Sequence, residues 1–194
     1  MRISKQQREA NTLACKDLIR AGDIVALKDL LPHSSVNYNG AELVMFAITV
    51  NQPQCLEVML PFFSAPTHAK MAIRKALFYR HNECLKVLAK VASDSVLSER
   101  LITTILDHNF DAAKVLLPYY NPEYDAGAAL AAATFVNNTE LMDVLFPHSP
   151  VEIALDYKTQ PGGAYLLELI AQSELKQKML NEIPPSPRHP NKKM

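Results

Sequence analysis

Apolar residues fall along this chain in steps of three and four, and the pattern itself recurs. Five strings close an apolar run: ALKDLLP (26–32), CLEVMLP (55–61), CLKVLAK (84–90), AAKVLLP (112–118) and LMDVLFP (141–147). Successive strings are offset by 29, 29, 28 and 29 residues. Stacked as columns, Leu27, Leu56, Leu85, Ala113 and Met142 are apolar. So are Leu30, Met59, Leu88, Leu116 and Leu145, and then Leu31, Leu60, Ala89, Leu117 and Phe146. Between them runs a column charged in every copy: Lys28, Glu57, Lys86, Lys114 and Asp143. Apolar positions at i, i+3 and i+4 with a charge between them predict an amphipathic helix, because a strand would alternate with period two.

A second helix is predicted ahead of each of these. Its core columns are Cys15, Val44, Ile73, Leu101 and Leu130, and four residues on Ile19, Ile48, Leu77, Ile105 and Thr134. One position before the later column, mostly small residues stand (Leu18, Ala47, Ala76, Thr104, Ala133), which lets helices approach closely. Polar turns join the two helices at 21–23, 51–53, 80–82, 107–109 and 136–138, where Gly and Asn suit a helix end and Asp and Asn suit a helix start. Pro32, Pro61, Pro118 and Pro147 follow the later helix and are expected to stop it; Lys90 takes that place in the third copy. Each unit thus reads as helix, tight turn, helix and a loop of about ten residues, a pair that hides its apolar face only by stacking on its neighbours.

These columns resemble the ankyrin repeat. The family pattern T-P-L-H-x-A-A-x-x-G-H-x-E-V-V-x-L-L-L lies on Glu42–Leu60 without a gap, and Met71–Ala89 fits similarly, with His81 at the family's histidine. The T-P start is absent, the glycine survives only as Gly22, and the period is 29 rather than about 33. The deficit lies in the connecting loop, as in PFFSAPTHAK and PYYNPEYDAG, and looks like a shortened-finger variety of some bacterial ankyrin-like proteins. The resemblance covers about residues 12–148 and implies an all-α solenoid of stacked helix-turn-helix repeats that binds protein and carries no chemistry of its own. The family's contact positions fall on the first helices: Phe46, Lys75, Thr103 and Ala132; Thr49, Phe78, Leu106 and Phe135; Val50, Tyr79, Asp107 and Val136.

The ends break the period. Residues 1–11 are polar and read as an extension or cap of the first helix. Over 149–183 a helical cap is expected: a short helix at 151–158, a turn at 160–163, and one or two helices across 165–180 with a polar face. Residues 184–194, PPSPRHPNKKM without its neighbours, read as a disordered tail.

Composition narrows the function classes. The chain has 194 residues, 48% hydrophobic, and equal numbers of basic and acidic side chains. Residues 1–11 carry +2 and residues 184–194 carry +3, so a net charge of zero leaves −5 on the body. That favours a protein partner with a basic face over a nucleic acid. No apolar run reaches the ~18–20 residues of a membrane span, and the N-terminus lacks the apolar stretch of a secretory signal. Three cysteines without CxxC spacing suggest reduced thiols and a cytoplasmic location, with secretion by a signal-independent route left open.

Candidate chemistry is sparse. Cys55 and Cys84 share a repeat column with Ala26, Ala112 and Leu141, and read as small core fillers. His33 and His148 sit in Pro-His-Ser, and His81 and His108 sit at turns, with no spacing for a metal site. No catalytic residue, cofactor, metal or small-molecule substrate is expected. Phe62-Phe63 and Tyr119-Tyr120 follow the closing prolines; either one ring of each pair packs under the next repeat, or the pairs form an exposed contact ridge. The first-helix aromatics pose the same alternative.

The expected function is binding of a partner protein through the first-helix face and adjoining loops, occluding or regulating it. A bacterial toxin-neutralising inhibitor and a secreted effector are two concrete forms. The alternatives are an enzyme with its site in 149–183 and a self-assembling homo-oligomer.

Overall fold

Helices run where the columns put them. The computed structural model describes residues 4–34, 41–63 and 66–182. Among these residues there are twelve α-helices and no strand, so the protein is all-α. The first helices are α1 (Lys5–Ala21), α3 (Glu42–Thr49), α5 (Pro66–Tyr79), α7 (Asp94–Leu106) and α9 (Ala128–Phe135). Their partners are α2 (Ile24–Leu30), α4 (Pro53–Met59), α6 (Asn82–Ala89), α8 (Phe110–Leu116) and α10 (Thr139–Leu145). Two more follow, α11 (Glu152–Leu155) and α12 (Gly163–Glu182). The starts of α2, α4, α6, α8 and α10 keep the 29, 29, 28, 29 spacing of the sequence.

Each corner between paired helices is built identically. One or two residues after the first helix, a residue adopts a left-handed conformation in every copy: Gly22 (φ 70°), Asn51 (54°), Arg80 (56°), His108 (56°) and Asn137 (56°). In the first copy the Gly22 N–H donates to the Ile19 carbonyl at 3.2 Å and the Asp23 N–H to that of Leu18 at 3.0 Å. The same two bonds recur at Asn51/Gln52, Arg80/His81, His108/Asn109 and Asn137/Asn138. Such a bond pair satisfies the orphan carbonyls at a helix end. It holds even Arg80 and His108 where a side chain costs about 1–2 kcal/mol. Asp23 and Asn138 also cap the next helix, accepting from the backbone of Ala26 and Leu141.

Two corrections concern the connections. The closing prolines do not end the later helix abruptly: Leu31–His33, Leu60–Phe62, Leu117–Tyr119 and Phe146–His148 each wind one 3-10 turn beyond it. Proline's missing N–H does no harm at the start of such a turn. Nor is there a ten-residue loop before each first helix, because α5 and α7 extend to 14 and 13 residues, whereas α3 and α9 have eight. Pro66 opens α5, and Asp94 in the first turn of α7 faces the positive end of that helix.

The chain divides into two compact units, Met1–Asp125 and Ala126–Met194. In the first, paired helices pack on each other and on the next pair, α1 on α3 on α5 and α2 on α4 on α6 on α8. In the second, α9 packs on α10, α11 and α12, and α12 also touches α10 and α11. Leu27, Leu56, Leu85, Ala113 and Met142 are all buried, and the charged column is exposed throughout. Lys90, where proline is missing, pairs with Glu57 at 2.8 Å, which lowers the Glu57 pKa and raises that of Lys90 through the charged hydrogen bond they share. At the C-terminal end the short helix is α11, the turn lies before Gly163, and one helix, α12, covers the remainder. The tail at 184–194 lies outside the described residues.

Cys15, Cys55 and Cys84 are free and buried. Burial pushes all three thiols up. Nearby Asp23 adds to this at Cys55, a hydrogen bond with Ser34 opposes it at Cys15, and Glu83 adds to it at Cys84, whose pKa reaches about 11. The Cys84 thiol lies 3.6 Å from Asn51 Oδ1. A thiol-specific chromogenic reagent in mildly alkaline buffer is expected to leave all three unmodified in the native protein and to titrate three in denaturing guanidinium chloride. The folded state also holds the Cys84 proton more tightly than the unfolded chain does. Its stabilising contribution is therefore whole below about pH 9 and disappears as pH climbs to about 11. Fast native-state labelling would overturn this assignment.

Candidate functional site

Helix α5 has two unlike sides. Ala69, Ala72, Ile73 and Ala76 are buried. The opposite side carries Met71, Arg74, Lys75, Phe78 and Tyr79 at i, i+3, i+4, i+7 and i+8, so they lie together on a helical surface. With Met45 of α3 they line an open groove of about 520 Å³. Phe78 is 80% exposed and Tyr79 42%. The two rings meet edge to face with centroids 5.2 Å apart, and Tyr79 also stacks on His81 at 5.6 Å. His81 Nδ1 lies 2.7 Å from the Ile48 carbonyl oxygen, so that nitrogen carries the proton and ties this corner to α3. Lys75 Nζ sits 5.9 Å from the centre of the Tyr79 ring. Among the described residues no carboxylate pairs with Arg74 or Lys75.

The other expected contact residues of the first unit differ in what covers them. Phe46 is half-buried beneath two cations, Arg20 at 5.3 Å and Lys16 at 5.9 Å from its ring centre. Lys16 also pairs with Glu42, and Arg20 with Asp17. Thr49 and Thr103 have turned their hydroxyls onto the carbonyls of Met45 and Glu99, both at 2.7 Å, so those hydroxyls serve their own helices. Val50 and Thr103 are half-buried, whereas Leu106 is 44% exposed and Asp107 is exposed.

Phe135 belongs to the second unit. It is 46% exposed and meets Tyr157 edge to face at 6.2 Å. The proline-aromatic pairs do not join the α5 groove. Phe62 is exposed and lines a separate hollow with Lys28, Glu57, Val58 and Pro61, because the 3-10 turn winds it back beside the charged column. Phe63 is half-buried near His68, with ring centroids 6.3 Å apart, and Tyr119 is half-buried. Tyr120 is buried, and its hydroxyl donates to Asp125 Oδ1 at 2.5 Å while Ser98 donates to Oδ2 at 2.5 Å. Tyr120 thus anchors a loop and presents nothing to a partner.

No protein-family model, curated protein or solved structure matches this chain. In 149–183, Tyr157, Asp156 and Lys158 are exposed, and the Tyr165 hydroxyl donates to Asp143 at 2.7 Å, a bond that raises its pKa. Among the described residues no group of His, Cys, Asp and Glu could hold a metal ion, and no helix is long and apolar enough to cross a membrane.

Sequence reasoning missed Met45, Met71 and Arg74 in the groove, and Arg20 and Lys16 over Phe46. The signal was present for most of them. Met71 and Arg74 share the helical spacing of Lys75 and Phe78, and Arg20 is the first-copy member of the Thr49–Phe78–Leu106 column.

Proposed function

We propose that this chain is a non-enzymatic protein-binding module of ankyrin-like repeats, which engages a partner through the exposed face of its first helices and so occludes or regulates it. One observation carries this: Phe78, Tyr79 and Leu106 keep 80%, 42% and 44% of their surface in water at contact columns of successive copies. The Phe78 and Tyr79 rings touch, and adjoining exposed apolar groups mark interaction sites. The regular corners and the 29, 29, 28, 29 spacing of helix starts support the repeat reading. Three buried, unpaired thiols fit a reducing compartment, and the cytoplasm is the location proposed. A toxin-neutralising inhibitor and a secreted effector remain the two concrete forms.

Affinity capture from source-cell lysate tests the proposal. Wild type is expected to retain a partner protein that the Phe78→Ala/Leu106→Ala variant loses at least about tenfold, with helicity retained. Equal capture by the two proteins would refute a first-helix site.

A further inference from the structure

The α5 groove combines apolar walls with two cations that no carboxylate among the described residues pairs with. Met45, Met71, Phe78 and Tyr79 supply the apolar surface, and Arg74 and Lys75 stand on the same stripe. Other cations of the first unit are engaged: Lys16 with Glu42, Arg20 with Asp17, and Lys70 with Glu99. We infer that this groove is the docking site for an acidic, amphipathic peptide segment of the partner protein, one that presents an apolar side chain flanked by Asp or Glu. The inference rests on the protein-binding function proposed above and names the chemistry of what binds.

Three considerations lead to that occupant. The walls offer methionine and aromatic surface, adaptable to an inserted aliphatic or aromatic group. Arg74 and Lys75 are consecutive residues lining the groove, so carboxylates beside such a group would meet a cation there. The sign of the site is local. The body's −5 is a sum over a chain far larger than the ~8 Å over which exposed charges act at physiological salt, so it does not set the field here. The chain's own C-terminal segment is a poor occupant, because residues 184–194 carry three cations and no acid.

The test pans a displayed library of short random peptides against the full chain at physiological salt. Synthetic copies of the enriched sequences are then titrated by fluorescence anisotropy. Enriched peptides are expected to place Asp or Glu beside Leu, Ile, Phe or Met, and to bind more weakly as salt rises. Arg74→Glu/Lys75→Glu and, separately, Phe78→Ala are each expected to weaken them at least about tenfold, with circular dichroism and thermal midpoint unchanged, because these side chains are on the surface. Basic or uncharged winners, winners indifferent to both variants, or no enrichment would overturn the inference. So would a sedimenting dimer that Phe78→Glu dissociates, since a second copy would then fill the groove. Loss of lysate capture in the Phe78→Ala/Leu106→Ala variant together with non-acidic winners would leave the protein-binding function standing and remove only the charge class. Intact capture by that variant would remove the first-helix site and this inference with it.

Discussion

Gly163→Ala is expected to destabilise the second unit by about 2–3 kcal/mol. A Cβ there would lie 1.9 Å from the Lys158 carbonyl oxygen and 2.3 Å from its carbon. Both are backbone atoms, so no side-chain rotation relieves the clash. The Gly163 N–H already donates to the Gln160 carbonyl at 2.8 Å, which fixes the turn in place. Gly162 is confined too: its N–H donates to the Thr134 carbonyl at 3.1 Å, and a Cβ would come within 2.4 Å of that same oxygen. Space, rather than backbone angle, demands both glycines. Since α12 begins at Gly163, the displaced turn would drag Leu166 out of its buried position against the rest of the unit. Urea titration should show the midpoint falling for Gly163→Ala, while Ala164→Ser, at an exposed neighbour, stays within about 0.5 kcal/mol of wild type. An unchanged midpoint for Gly163→Ala would sink the packing account of this turn.

Leu85→Ala should cost the first unit about 2–5 kcal/mol. Leu85 has no exposed surface, and α6 packs on α4, α5 and α8, so neighbours on both sides limit collapse into the void. Lys86→Ala, one residue on, removes a longer side chain from the exposed column and should shift stability by no more than about 0.5 kcal/mol. Guanidinium unfolding of the two variants side by side measures the contrast. Similar costs at both positions would mean that the column assignment is wrong.

Particular residues show how far the chain can be read before it is folded. Gly22, Asn51 and Asn137 announce their corners by residue type. Arg80 and His108 do not, and are found only because the repeat register places them where the same two backbone bonds form. Phe63 and Tyr120 take equivalent places after Leu-Pro turns, yet one is half-buried and the other buried. The difference comes from Ser98 and Asp125, which lie 22 and 5 residues away from Tyr120 along the chain. Phe46 and Phe78 share a helical face in the sequence pattern. Two cations from α1 lie over the first ring, and nothing comparable covers the second.

Helix class, pairing, corner positions and the buried Leu27 and Cys15 columns were legible in the linear order, because they depend on periodicity and on bonds between residues a few positions apart. Which apolar rings stay in water, whether a carboxylate among the described residues pairs with Arg74 or Lys75, and why Gly162 and Gly163 admit no side chain were settled only by the folded chain. Those properties are set by distant segments brought into contact, and no local pattern encodes what a remote neighbour will cover.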